Sequence, residues 1–87
     1  MKIRSDFMLR QVAGQYVVIP IGRAVLNFNA AISLNGTAAF LWQLLTEGAE
    51  RDTLVKRLTD EYDTDVSTAS NDVDAFINTL KEHDILE

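Results

Sequence analysis

Apolar residues change period twice along this chain. Phe7–Val12 reads as a strand, and Tyr16-Val17-Val18-Ile19 reads as a β-branched second strand. Between them Ala13-Gly14-Gln15 forms a short turn, with glycine available for positive φ. Pro20 lacks an amide hydrogen and should end the second strand or lie on an edge. From Leu26 the period is two: Leu26, Phe28, Ala30, Ile32 and Leu34 take one face, and Asn27, Asn29, Ala31 and Ser33 the other. The two asparagines can also mark a turn, which leaves a shorter regular strand near residues 30–34.

At Asn35-Gly36-Thr37 the period becomes helical. Leu34, Ala38, Leu41, Trp42 and Leu45 recur at three to four residues. Asn35 or Thr37 can cap this helix, and Gly48 can end it in a left-handed conformation. A second helix is expected over about Arg51–Glu61, burying Leu54, Val55, Leu58 and Tyr62. A third is expected over about Thr68–Glu82, with Ser67 as cap and Ala69, Val73, Phe76, Ile77 and Leu80 inside. Ile85 and Leu86 form an apolar tail that can dock on the core. Strands followed by helices define an α+β domain: a three-stranded antiparallel sheet followed by a three-helix bundle, similar in outline to a winged helix-turn-helix. Residues 1–87 form a single domain, because 87 residues leave no room for two.

Composition narrows the chemistry. The chain has no cysteine and one histidine. That excludes thiolate metal sites, disulfides and a multi-histidine centre. Asp60, Glu61, Asp63 and Asp65 cluster between the second and third helices. They lack the central glycine and spacing of a calcium loop and read as a solvated, capping acidic loop. His83 reads as a helix C-terminal residue favoured by the dipole. No phosphate-binding glycine motif occurs. Neither a catalytic constellation nor a cofactor or metal site is expected.

Charge is unevenly placed. Residues 1–34 carry four basic residues against Asp6, a net of +3. Residues 35–87 carry four basic residues against twelve acids, a net of −8. The third helix holds Asp72, Asp74 and Glu82 against Lys81, and so disfavours the reading as a winged-helix DNA-binding transcriptional regulator. No apolar run is long enough to span a membrane, and no targeting signal is visible, so a cytoplasmic protein is the simplest expectation. The segment Asn29-Ala30-Ala31-Ile32-Ser33 carries no charge or proline. Natural sheet edges usually carry such protection, so this segment permits an extended peptide to add as a further strand.

Taken in order, several pieces resemble the PqqD family, small proteins related to pyrroloquinoline quinone biosynthesis protein D. They are residues 9–18, then Ile32–Trp42, then Leu54–Leu58 with Tyr62, Asp65-Val66, Asp72–Ile77, and Leu80 with Ile85-Leu86. The segment Leu34-Asn35-x-Thr37-x-Ala39-x-Leu41-Trp42 is similar to the family's signature leading into an apolar helix. One departure is Glu50, where members often carry Thr or Ser to cap the second helix. The resemblance implies a RiPP recognition element, a domain that binds the leader of a ribosomally made precursor peptide. It implies pairing of the leader with Asn29–Ser33 and a groove wall of Asp72, Phe76, Thr79 and His83. It also implies presentation to a radical SAM or other peptide-modifying enzyme, and it does not by itself point to quinone biosynthesis. A homodimer stays open. The +3 half suggests a preference for acidic leaders.

Overall fold

The β1–β2 hairpin sets the geometry of the sheet. Strand β1 (Phe7–Val12) pairs antiparallel with β2 (Gln15–Pro20), Phe7 opposite Pro20 and Val12 opposite Gln15. The two connecting residues, Ala13 (φ 51°) and Gly14 (φ 81°), both have positive φ. That is the pattern of a type I′ turn, whose twist matches that of the strands. Pro20 occupies the last position of the central strand, where only β1 lies beside it. Its missing N–H therefore breaks no ladder toward the third strand.

The computed structural model describes residues 1–29 and 31–87. Among them the chain continues through α1 (Ala24–Asn27), β3 (Ser33–Leu34), α2 (Gly36–Glu47), α3 (Arg51–Glu61) and α4 (Val66–Glu82). The sheet order is β1-β2-β3, all antiparallel. The result is the expected α+β arrangement of a small sheet followed by a helical unit.

The long alternation from Leu26 holds only at its end. Residues 24–27 wind into a single helical turn, so Leu26, expected inward, is 83% exposed. Phe28 does turn inward and meets Phe7 edge-to-face at 5.1 Å. Ile32 and Leu34 are half-buried, as the alternation requires. Regular pairing is confined to Ser33–Leu34, with the Val18 N–H donating to Ile32 C=O at 3.0 Å just before it.

Asn35 then ends the strand and caps α2. Its Oδ1 accepts from the Ala38 N–H at 2.8 Å. Gly48 (φ 103°) closes the same helix. Helix α3 starts at Glu50 without a side-chain cap. Helix α4 begins earlier than expected, because Asp65, not Ser67, is its cap: Asp65 Oδ1 accepts from the Thr68 N–H at 2.7 Å. Tyr62, expected in the core, is 39% exposed and packs edge-on against Phe40 at 5.6 Å.

The core lies between the helices and the inner face of the sheet. Trp42, Leu41 and Leu45 from α2, Leu54 and Leu58 from α3, and Ala69, Val73, Phe76, Ile77 and Leu80 from α4 are all buried. The two ends of the described chain close over it. The Ile3 N–H donates to Leu45 C=O, the Arg4 N–H to Ile85 C=O and the Glu87 N–H to Lys2 C=O, at 2.8–2.9 Å. Ile3 and Leu86 form an isolated antiparallel bridge. Ile85 is fully buried within this closure.

Two stability predictions follow from these positions. Ile85→Ala should cost about 2–5 kcal/mol, a large share of the about 4–13 kcal/mol expected for a domain of this length. Urea unfolding with an unchanged slope checks it. Ala13→Asn should raise the thermal midpoint, because asparagine tolerates the left-handed region that strains an alanine by about 1 kcal/mol.

Candidate functional site

The sheet has two edge strands, β1 and β3, and β3 is the one that borders a groove. In an antiparallel pair, backbone groups point alternately toward and away from the neighbouring strand. Ile32 bonds toward β2 through its C=O, and Leu34 stands opposite Tyr16. The N–H and C=O of Ser33 therefore face away from β2. No strand of the sheet covers that side. The side chains there are a serine and an alanine, both exposed and neither able to obstruct an incoming chain.

A groove of about 330 Å³ runs along this edge. Ile32, Ser33 and Leu34 form one wall, and Asp72, Ala75, Phe76 and Thr79 of α4 form the other. Thr37, Ala38 and Leu41 of α2 contribute to the same groove. Their part in it was not foreseen, although Ala38 and Leu41 belong to the stripe that marks the helix in the sequence. Phe76 serves two purposes. It is only 7% exposed and belongs to the core, yet its remaining surface lines the groove.

The expected site residues divide into two groups. Asp72, Phe76 and Thr79 meet Ile32 and Ser33 across the groove. His83 does not line it. It caps the C-terminus of α4 and lies edge-on to Phe28, with ring centres 6.1 Å apart. Asn29 shares with His83 a shallow hollow at that end of the helix. Ala31 is exposed and continues the β3 edge. Ala30 lies outside the described residues.

Helix α4 is anchored by an ion pair with α3 and by a side-chain cap at its start. Arg51 of α3 clasps Asp74 through two contacts, Nε to Oδ1 at 2.6 Å and Nη2 to Oδ2 at 3.0 Å. Those hydrogen bonds hold the Asp74 carboxyl below the usual carboxylate range. The Thr68 backbone N–H does the same for Asp65, with a further contribution from the Thr68 side chain. Lys56 pairs with Asp60 at 3.1 Å along α3. The expected acidic loop is thus partly used for pairing and capping. Among the described residues, no group of three or more His, Asp or Glu is placed to hold a metal ion. Lys2, Arg4, Arg10 and Arg23 are all absent from the groove lining. Arg4 is engaged with Asp84 at 2.8 Å and Asp6 at 3.3 Å. The positive half thus supplies a groove wall through Ile32, Ser33 and Leu34 but none of its basic residues, contrary to the expectation drawn from net charge.

An α+β domain whose β3 edge borders a helix-walled groove is the class that fold and site define. The chain belongs to the PqqD family: the family model for coenzyme PQQ synthesis protein D (PqqD) matches residues 15–86. Its fold is similar to that of TbiB1 in complex with the TbiA(beta) leader peptide. The TM-score is 0.78 at 24% identity, over 100% of this chain and 95% of that one. It is also similar to lasso peptide synthetase B1 complexed with the leader peptide. There the TM-score is 0.71 at 28% identity, over 93% of this chain and 89% of that one. No curated protein matches the chain.

Acid should loosen the α4 anchors. Asp65 and Asp74 titrate lower in the folded state than in the unfolded chain, so their contribution is complete above the ordinary carboxylate range. It is lost as pH falls below about 4. Thermal melts of the wild type should therefore fall more steeply between about pH 5 and 2 than those of an Asp65→Asn, Asp74→Asn variant.

Proposed function

We propose that this domain is a RiPP recognition element: it binds the leader of a ribosomally made precursor peptide by β-strand addition and presents it to a peptide-modifying enzyme. The observation that carries the reading is the open edge at Ala31 and Ser33, set beside a groove that α4 walls. A strand added there bonds to β3 through its main chain. Its inward side chains enter the groove between Leu34 and Phe76, and its outward ones stay in solvent. Main-chain bonds supply affinity for many sequences, and the groove supplies register and choice.

Membership of the PqqD family and two similar folds, each in a complex with a leader peptide, support this reading. On it, Ala31 and Ser33 make the main-chain bonds and Ile32 faces the groove. Asp72, Phe76 and Thr79 form the opposite wall. Asn29 and His83 mark where the peptide leaves the groove at the C-terminal end of α4. The domain itself is not catalytic, and the chemistry belongs to the enzyme it serves, for which a radical SAM protein is one candidate. The DNA-binding reading meets a physical obstacle. Exposed Asp72 on α4 would face phosphates without a neutralising partner.

The test uses a synthetic leader peptide, its sequence taken from whichever short precursor reading frame a search around the gene for this chain identifies. On titration, amide resonances of Ala31, Ile32 and Ser33 should move, with those of Asp72 and Thr79. Shifts confined to α3 would refute the site. On this reading Ala31→Pro removes a donor to the added strand while leaving the β2 ladder intact. It should weaken binding about tenfold, equivalent to one lost hydrogen bond of about 1.4 kcal/mol. Unchanged affinity in a folded variant would refute strand addition.

A further inference from the structure

We infer that the groove selects extended segments in which a lysine or arginine stands two residues from an apolar side chain, with the cation seated on Asp72. This rests on the strand-addition reading above. Among the described residues Asp72 is the single charged one that lines the groove; the rest of its wall is apolar, hydroxyl or amide. Three aspartates lie on or at the start of α4, and two have structural work. Asp65 caps the helix, and Asp74 is clasped by Arg51. Asp72 is exposed and has no ion pair or side-chain hydrogen bond among the described residues. Its carboxylate faces a channel of neutral character. None of the four basic residues of the first 34 positions lines that channel to balance it.

The spacing follows from the two periods. Asp72 and Phe76 are four helical residues apart, about 6 Å along the axis. Alternate side chains on one face of a strand lie about 6.6–6.8 Å apart. A strand between β3 and α4 therefore brings consecutive inward side chains to Asp72 and Phe76 in turn. Asn29 lies beside His83 at the other end, so β3 and α4 pass in opposite directions and Asp72 stands toward Leu34. In either strand direction the required pattern is a cation and an apolar residue separated by one position.

A displayed library of random 12-residue peptides, selected against the intact chain, tests this. Peptides that shift the Ser33 amide should be enriched in Lys or Arg two positions from an apolar residue. Replacing that cation by Gln in a selected peptide should weaken binding about two- to fivefold, and the difference should vanish at about 1 M salt. Selection against Asp72→Asn should keep the apolar preference and lose the cation. Selection against Asp72→Lys should bring Asp or Glu to the same position. Both variants should fold, because Asp72 carries no structural bond. Peptides that shift Ser33 without cation enrichment, or with equal enrichment on Asp72→Asn, would overturn the inference and leave strand addition standing. If no selected peptide shifts Ser33 or Ala31, both fail together.

Discussion

Helix α4 is the element on which the rest of the molecule depends. Its stripe of Ala69, Val73, Phe76, Ile77 and Leu80 is buried along about three turns. A stripe of this kind fixes rotation about the helix axis as well as position, since any turn would expose apolar surface at roughly 25 cal/mol per Å². Asp72 and Thr79 lie on the margin of the stripe and Phe76 within it. Rotation is thus what aims a groove wall at β3. The Arg51–Asp74 clasp acts on the opposite margin and opposes the same movement.

Strand β3 is short for an equally physical reason. Asn35 has extended backbone, and its side chain caps α2, so the strand must end at Leu34. Before it, the helical turn at 24–27 and inward-facing Phe28 take up chain that would otherwise have paired with β2. A two-residue strand contributes little sheet of its own and leaves its outer groups unpaired. Edges of this kind are usually blocked by charge, proline or a bulge. Here the exposed side chains are Ala31 and Ser33, and what limits access is the helix across the groove.

Most of the fold was legible because its elements obey one period each. The α4 stripe, the hairpin and the buried tail at Ile85 all follow from local spacing. The failures have particular causes. Leu26 fits an alternating pattern by residue type, but period two cannot report that residues 24–27 close a helical turn. Ser67 and Asp65 are both good caps, and helix length alone does not choose between them. Tyr62 falls at the correct interval for the α3 stripe but lies past its last turn, where Phe40 offers a partner nearer the surface. At the site, Asp72, Phe76 and Thr79 share a face by spacing. His83 continues that spacing on paper yet leaves the groove, because it occupies the helix cap and turns toward Phe28. The part played by Thr37 and Ala38 was hidden although they follow β3 directly, since the helical spacing marks Ala38 for the core and Thr37 as a cap.

The division of charge acquires a different meaning once the fold is known. Counted along the sequence, a positive sheet half and an acidic helical half suggest that an incoming peptide meets positive potential. The structure separates net charge from local charge. Arg4 is drawn into pairs with Asp6 and Asp84 where the chain ends close, and Lys2, Arg10 and Arg23 lie off the groove. Over distances beyond about 8–10 Å such exposed charges are screened, so the nearest carboxylate governs what the groove meets. A domain of this size can separate its functions only by position. The apolar side of α4 holds the fold, and Asp72 at its margin is outside both the core and the helix cap. Phe76 belongs to the core and to the groove wall at once, so on the proposed reading variation in what is recognised would fall to Asp72 and Thr79, which lie outside the core.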